Sequence, residues 1–228
     1  MLDGITGEYS LLGRFRFSDE RHFGQTLRRI DGAMSRSFFK KYRVINAIAT
    51  FKELGILYDA EVRSLNLDDV DTEILRILLN QIEYVKIARP LPTAQIANIL
   101  SNLGMRISQP AVFKRLMRLE SNHVILGYTV MVDYLKLGVR TKFIVRFKVD
   151  PASYDTVALD FLSRMDEITD LYRTGEDYGL LAVVRVRDVP QYNSFLMRLY
   201  SSGDILDTYT ILVLEERKKS PLPIGEGR

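Results

Sequence analysis

From Thr141 onward, apolar and polar positions alternate. Phe143, Val145, Phe147 and Val149 fall on one side, and Ile144, Arg146 and Lys148 on the other. A period of two predicts a strand with one face turned to a core. Pro151 closes it, because proline removes a ladder donor. Val157, Phe161, Leu162 and Met165 then mark a helix. Strands are expected near Ile168 to Thr174 and Leu180 to Arg187. A second helix carries Tyr192, Phe195, Leu196 and Leu199, and a last strand runs from Ile205 to Leu214. The order βαββαβ is the ferredoxin-like split arrangement. The tail 217–228, with two Pro and two Gly, is expected to be disordered.

The preceding stretch, 67–138, has helical spacing instead. Leu67, Val70, Ile74, Ile77 and Leu78 share one face, with Asp68 or Asp69 as N-cap. Pro90 and Pro92 interrupt the chain, and Thr93 is expected to cap a short helix buried through Ile96, Ala97 and Leu100. Asn102 to Gly104 form a turn. Ser108 then caps a helix that tolerates Pro110 in its first turn and carries the stripe Val112, Leu116, Leu119. Val124 to Val132 is expected to be extended, a connecting strand.

Charge changes the reading of these helices. From Tyr84 to Leu119 the chain runs thirty-six residues without a carboxylate, while Lys86, Arg89, Arg106, Lys114, Arg115 and Arg118 lie inside the window. A phosphate backbone repels carboxylates and attracts such cations. Two short helices joined by a tight turn suit a helix-turn-helix, whose second helix enters the major groove. The candidate DNA-binding residues are Thr93 and Gln95 on the first helix and Ser108, Gln109, Lys114, Arg115 and Arg118 on the second. Ser108 and Gln109 are placed for hydrogen bonds to base or phosphate, and the three cations for phosphate contacts. The plainer alternative is an amphipathic helix whose Lys and Arg only solvate its outer face.

The first segment, 1–58, reads as strand (Leu12, Arg14, Arg16 alternating with Gly13, Phe15, Phe17), helix (Phe23, Leu27, Ile30) and strand (Arg43 to Phe51), followed by a linker at 59–66. It also echoes the last segment. Thr6-Gly7-Glu8-Tyr9-Ser10-Leu11-Leu12 matches Thr174-Gly175-Glu176-Asp177-Tyr178-Gly179-Leu180-Leu181 with one residue fewer. Arg16 then falls on Arg185, Asp19 on Asp188, Phe23 on Tyr192 and Leu27 on Leu196. A partial β-α-β copy of the βαββαβ module is expected, lacking that module's first strand and helix. Such a piece buries too little apolar surface to stand alone, so it should dock on the last segment or on a partner subunit. A vestige of duplication is the simpler alternative.

Composition narrows the function classes. A chain of 228 residues with 46% hydrophobic and 27% charged residues is an ordinary globular protein of net charge +3. Without Cys there is no disulfide, thiolate metal site or cysteine nucleophile, and His22 and His123 lie far apart. No signal-peptide or membrane-spanning pattern is visible, so a cytoplasmic protein is expected. No phosphate-cradling loop, catalytic triad order or zinc helix motif points to an enzyme, a cofactor or a metal.

Leu67-Asp68-Asp69-Val70-Asp71-Thr72-Glu73-Ile74-Leu75 resembles the start of the DNA-binding domain of Lrp/AsnC (feast/famine) transcriptional regulators. Ile107-Ser108-Gln109-Pro110 through Arg115-Leu116-Met117-Arg118-Leu119-Glu120 is similar to their recognition helix. Val124-Ile125-Leu126-Gly127-Tyr128-Thr129 with Leu137-Gly138 resembles the link to their effector (RAM) domain. The resemblance covers roughly 67–219. It implies an α+β protein: a helix-turn-helix domain with its connecting strand over 67–138 and a ferredoxin-like effector and oligomerisation domain over 139–216. It also implies double-stranded DNA as partner, self-association as a homodimer or larger even-numbered oligomer, and an amino acid or other small metabolite as effector. The family's effector loop, which lies where dimers meet, maps onto Gly175, Glu176, Asp177 and Tyr178. Here the Gly and one acid are kept and the later positions exchanged. The link 81–92 is also longer than the family's usual one. A siroheme-decarboxylase-like enzyme on the same architecture is the alternative class, and two His far from any expected cleft speak against it.

Overall fold

The computed structural model describes residues 2–17, 19–38, 41–58, 65–79 and 90–218. Lys86, Arg89, most of the 81–92 link, most of the 59–66 linker and the tail beyond 218 lie outside the described residues. The chain divides into two compact units, one joining Met1–Asp59 to Thr129–Lys219 and the other holding Ala60–Tyr128.

The first unit is built on an antiparallel sheet. Its centre comes from the expected βαββαβ pattern: β5 (Thr141–Val149), β6 (Ile168–Thr174), β7 (Leu180–Val186) and β8 (Ile205–Lys218), in the spatial order β8-β5-β7-β6. Alternation decides the faces. Phe143, Val145, Phe147 and Val149 enter the main core with Leu171, Leu180, Ala182 and Val184. Ile144, Val183 and Val213 line the opposite face. The helix Val189–Ser201 seals the main core with Tyr192, Phe195 and Leu199. The other expected helix is a run of short pieces instead, from a 3₁₀ turn at Pro151–Ser153 through a π segment at Val157–Phe161 to Leu162–Arg164. It still buries Tyr154, Val157, Ala158 and Leu162. The final strand extends to Lys218, so Arg217 belongs to the sheet and not to a tail.

The first segment supplies both outer edges of this sheet. Its strand β1 (Leu2–Ile5) pairs antiparallel with β8 and forms a hairpin with β2 (Leu11–Gly13). Its strand β3 (Ala47–Glu53) pairs antiparallel with β6 and forms a hairpin with β4 (Ile56–Leu57). An unpaired edge leaves a row of N–H and C=O groups open to any passing strand, and here each edge of the four-stranded module is covered in cis. Ile5 joins the second face beside Ile144, while Phe51 enters the main core. Buried Lys52 donates to the carbonyls of Ser163 (2.9 Å) and Met165 (3.2 Å), fastening β3 to the helical run.

Two expectations for this segment need correction. The strand through Leu12 to Phe17 stops at Gly13, because Arg14 and Arg16 leave the ladder to reach acids. Arg14 bonds Asp170 at 3.1 Å and Glu53 at 3.1 Å, and Arg16 also pairs with Glu53. The strand expected from Arg43 begins at Ala47, since Arg43 turns to Glu176 at 3.0 Å. The helix α1 (Glu20–Met34) forms as expected and is capped by Asp19, which accepts from the His22 amide at 2.7 Å. Asp188 caps the later helix in the same way, accepting from the Gln191 amide at 2.9 Å. No helix among the described residues is long and apolar enough to cross a membrane.

If β3 is part of the core, Phe51→Ala lowers the unfolding free energy of the full chain by about 3–5 kcal/mol, the usual cost of emptying a buried Phe site. Urea denaturation reads it, and a loss under about 1 kcal/mol would mean that β3 contributes no core packing.

Candidate nucleic-acid interface and effector loop

In the second unit three helices share one core: α2 (Asp69–Leu79), α3 (Thr93–Asn102) and α4 (Gln109–Ser121). Ile74 and Ile77, Ile96 and Leu100, and Val112, Leu116 and Leu119 meet there. The tight turn between α3 and α4 depends on Gly104 at φ +84, a left-handed angle that disfavours side chains. The Met105 amide then closes onto the Leu100 carbonyl at 2.9 Å.

This geometry brings the starts of α3 and α4 together. Gln109 Nε2 donates to Thr93 Oγ1 at 3.3 Å. Thr93 is the first residue of α3 rather than its cap; Pro92 takes the cap position and offers no side-chain acceptor. Ser108 does take the cap position of α4, yet its side chain makes no capping bond. The first-turn amides of both helices are therefore uncapped by side chains, beside exposed Ser108, Gln109 and Lys114. Gln95 is half-buried on α3, one turn away. Such amides attract phosphate oxygens.

Arg115 and Arg118 behave differently from the expectation that they face outward to phosphate. Arg115 Nη1 donates to Asp68 Oδ2 at 2.6 Å and to Asp71 Oδ1 at 2.7 Å, and Arg118 binds the other oxygen of Asp71. The thirty-six-residue window is free of acids only along the chain; folding carries two carboxylates into it. Asp71 is 0% exposed, while Arg115 and Arg118 keep 27% and 43% of their side-chain surface. The same two acids form a reciprocal cap on α2. The Asp71 amide donates to Asp68 Oδ1 at 2.8 Å, and the Asp68 amide donates back to Asp71 Oδ2 at 3.3 Å. Asp68 and Asp71 are thus the residues missed by sequence reading. Their D-x-x-D spacing announces a helix start, but nothing in it names a partner more than forty residues away. Among the described residues, Lys114 and Arg106 have no carboxylate partner.

The Arg115 hydrogen bond, and then the Asp71 amide, hold the Asp68 carboxyl below its ordinary value of 3.8. A depressed acid contributes stability that is complete above its unfolded value and lost as pH falls through the folded one. Acid titration followed by circular dichroism should therefore show the Asp68 contribution to this unit fully present above the ordinary carboxylate range and lost progressively as pH falls below it. Asp71→Ala, which leaves two guanidiniums without their buried acceptor, should cost about 1–3 kcal/mol in chemical denaturation. An unchanged midpoint would remove Asp71 as the clamp.

The expected effector loop joins β6 to β7. Thr174 N donates to Gly179 O at 2.8 Å, and Thr174 Oγ1 to Tyr178 O at 2.8 Å, closing a compact turn. Gly179 has no room for a side chain; a Cβ would run into the Arg173 guanidinium and the Tyr154 ring. Glu176 pairs with nearly buried Arg146 and with Arg43 of the first segment. Arg146 lies 5.1 Å from the Tyr178 ring and 5.9 Å from that of Tyr209. The Tyr178 hydroxyl donates to Asp207 at 2.5 Å. Gly175 donates its amide to Asn46 O at 3.3 Å. Asp177 is exposed in the turn, and no partner is described for it.

Known proteins agree with this organisation. Residues 142–223 match the Lrp/AsnC ligand binding domain. The HTH-type transcriptional regulator FL11 of Pyrococcus horikoshii is 27% identical over 159 residues, 69% of this chain and 97% of its own length. Among solved structures, LrpC of B. subtilis superposes with a TM-score of 0.52 at 21% identity, over 68% of this chain and all of its own. The Neisseria meningitidis transcriptional regulator NMB0573, solved as an L-Met complex, gives 0.57 at 16% identity, over 70% of this chain and 98% of its own. With its ferredoxin-like module and three-helix unit in the expected chain order, and with residues 142–223 matching the Lrp/AsnC ligand binding domain, this chain is similar to Lrp/AsnC transcriptional regulators.

Proposed function

We propose that the chain is a sequence-specific DNA-binding regulator whose three-helix unit docks α4 in the major groove. The observation that carries this reading is the meeting of the α3 and α4 starts at the Gln109–Thr93 contact, with uncapped amides and no carboxylate on either helix before Glu120. Gln109 and Ser108 stand nearest to base edges, Thr93, Gln95 and Lys114 reach the flanking phosphates, and Arg106 adds a free cation. Arg115 and Arg118 position α4 against α2 through Asp68 and Asp71, and their remaining exposed surface borders Lys114. A homodimer or larger even-numbered oligomer presents two such helices to half-sites about one helical turn, roughly 34 Å, apart.

The loop Gly175, Glu176, Asp177 and Tyr178 is proposed as the effector site, with an amino acid as ligand class. The L-Met complex of the Neisseria relative supports that class. The first segment is proposed as a partial copy of the effector module. Each contains a hairpin closed over a Thr-Gly-Glu turn, then an aspartate-capped helix, then a strand.

Removing one phosphate-contacting cation flattens the slope of log Kobs against log salt by about one unit. Lys114→Ala is therefore expected to reduce the slope by about one on any duplex, while Gln109→Ala loses discrimination between sequences. Fluorescence anisotropy across a salt series measures both. A Lys114→Ala slope equal to that of wild type would remove α4 from the interface.

A further inference from the structure

The two Thr-Gly-Glu turns share one basic arm. The hairpin β1–β2 carries Thr6-Gly7-Glu8, and the hairpin β6–β7 carries Thr174-Gly175-Glu176. The stretch before β3 reaches both. Lys41 pairs with Glu8, and Arg43 pairs with Glu176 at 3.0 Å. Lys41 and Arg43 both act on Glu8, so both cations serve one surface. Arg43 also acts on the first turn: after the Lys41 hydrogen bond and charge, and against a small burial effect, its charge helps hold the Glu8 carboxyl low.

Aromatic rings border the same surface. Lys41 stands 5.4 Å above the Tyr9 ring, and Tyr178 and Tyr209 flank Arg146 behind Glu176. Gly7 sits at φ +105, and a Cβ there would meet only the Tyr209 hydroxyl, at 3.9 Å. Glu8, Lys41 and Arg43 each keep about half of their side-chain surface (52%, 54% and 49%). Ion pairs this exposed are weakly held and exchange readily for other partners.

We propose that the two turns and the Lys41–Arg43 arm form a single small-molecule site within one chain, and that its ligand is a free α-amino acid. Such a ligand carries a carboxylate and an ammonium on one carbon, and it is recognised by cations and anions set side by side. Lys41 and Arg43 take the carboxylate, and Glu8 and Glu176 take the ammonium. The ligand replaces the exposed Lys41–Glu8 pair and the more buried Arg43–Glu176 pair with charge-assisted bonds of the same kind. Tyr9 and Tyr209 flank its side chain. This inference rests on the effector-loop reading and adds to it the first segment as half of the site.

The test is calorimetric titration of the full chain with each free amino acid, then with the α-amide and N-acetyl forms of the one that binds. Circular dichroism and thermal melting confirm that each variant is folded, which half-exposed positions normally permit. Both capped forms are expected to bind more weakly than the free amino acid. Glu8→Gln, Lys41→Ala and Arg43→Ala are each expected to weaken binding by about tenfold or more, as loss of one charged partner does. If Glu176→Gln abolishes binding while Glu8→Gln and Lys41→Ala stay within about twofold of wild type, the loop reading stands and the two-turn site is overturned. If no amino acid binds the wild-type chain, both fall together.

Discussion

A four-stranded antiparallel sheet ends in two rows of peptide groups that must be hydrogen-bonded to something. In this chain the first fifty-odd residues are shaped by that requirement. They supply β1 to the β8 edge and β3 to the β6 edge, and they cross from one to the other through α1. Neither β1 nor β3 would be stable alone, since a short strand gains little until its partner is present. The segment is therefore a structural part of the effector unit, with Ile5 and Phe51 in its two cores.

Charge is buried along both joins. At the β8 edge, Lys142 contacts Asp3 at 2.8 Å and Glu216 at 3.5 Å, and Arg185 meets Glu216 at 2.7 Å. At the β6 edge, Arg14 bridges Glu53 and Asp170, and the Tyr172 hydroxyl donates to both carboxylates at 3.3 Å. Burial, and then Asp170, push the Tyr172 phenol upward, so it stays a neutral donor. Buried ion pairs add little net stability over apolar packing, but breaking one by mismatch is costly. Their effect here is register: a shift of β1 by one residue would turn buried Asp3 away from Lys142 and cost its carboxylate that cation.

This explains what the sequence disclosed and what it withheld. The βαββαβ core was legible because Phe143 to Val149 alternate and Leu180 to Val186 is an almost unbroken apolar run, as in a strand covered on both faces. Strand β1 was not, since Asp3 and Gly4 resemble turn residues and Asp3 is tolerable inside only because Lys142 arrives 139 positions later. The repeat itself held the missing signal. Thr174 ends a strand, so Thr6 should end one too. Arg14 and Arg16 misled for a related reason: they alternate like strand residues, but their charges seek Glu53 and Asp170. For the DNA-binding unit, helix positions and the core stripe followed from apolar spacing, while the fate of Arg115 and Arg118 did not.

Arg115 and Arg118 bring out two uses of positive charge. A cation for phosphate must remain free in the unbound protein, whereas one that fixes a helix must already be committed. Asp71 is wholly buried and holds two guanidiniums, so it converts Arg115 and Arg118 from mobile charges into struts between α2 and α4. Side-chain and backbone freedom given up before DNA arrives does not have to be lost on binding. The arrangement commits both guanidiniums to Asp68 and Asp71 and holds α4 at a set angle to α2. On the proposed DNA-binding reading, counterion release falls mainly to Lys114, Arg106 and the helix amides, and a rigidly held α4 lets Gln109 distinguish one base edge from another.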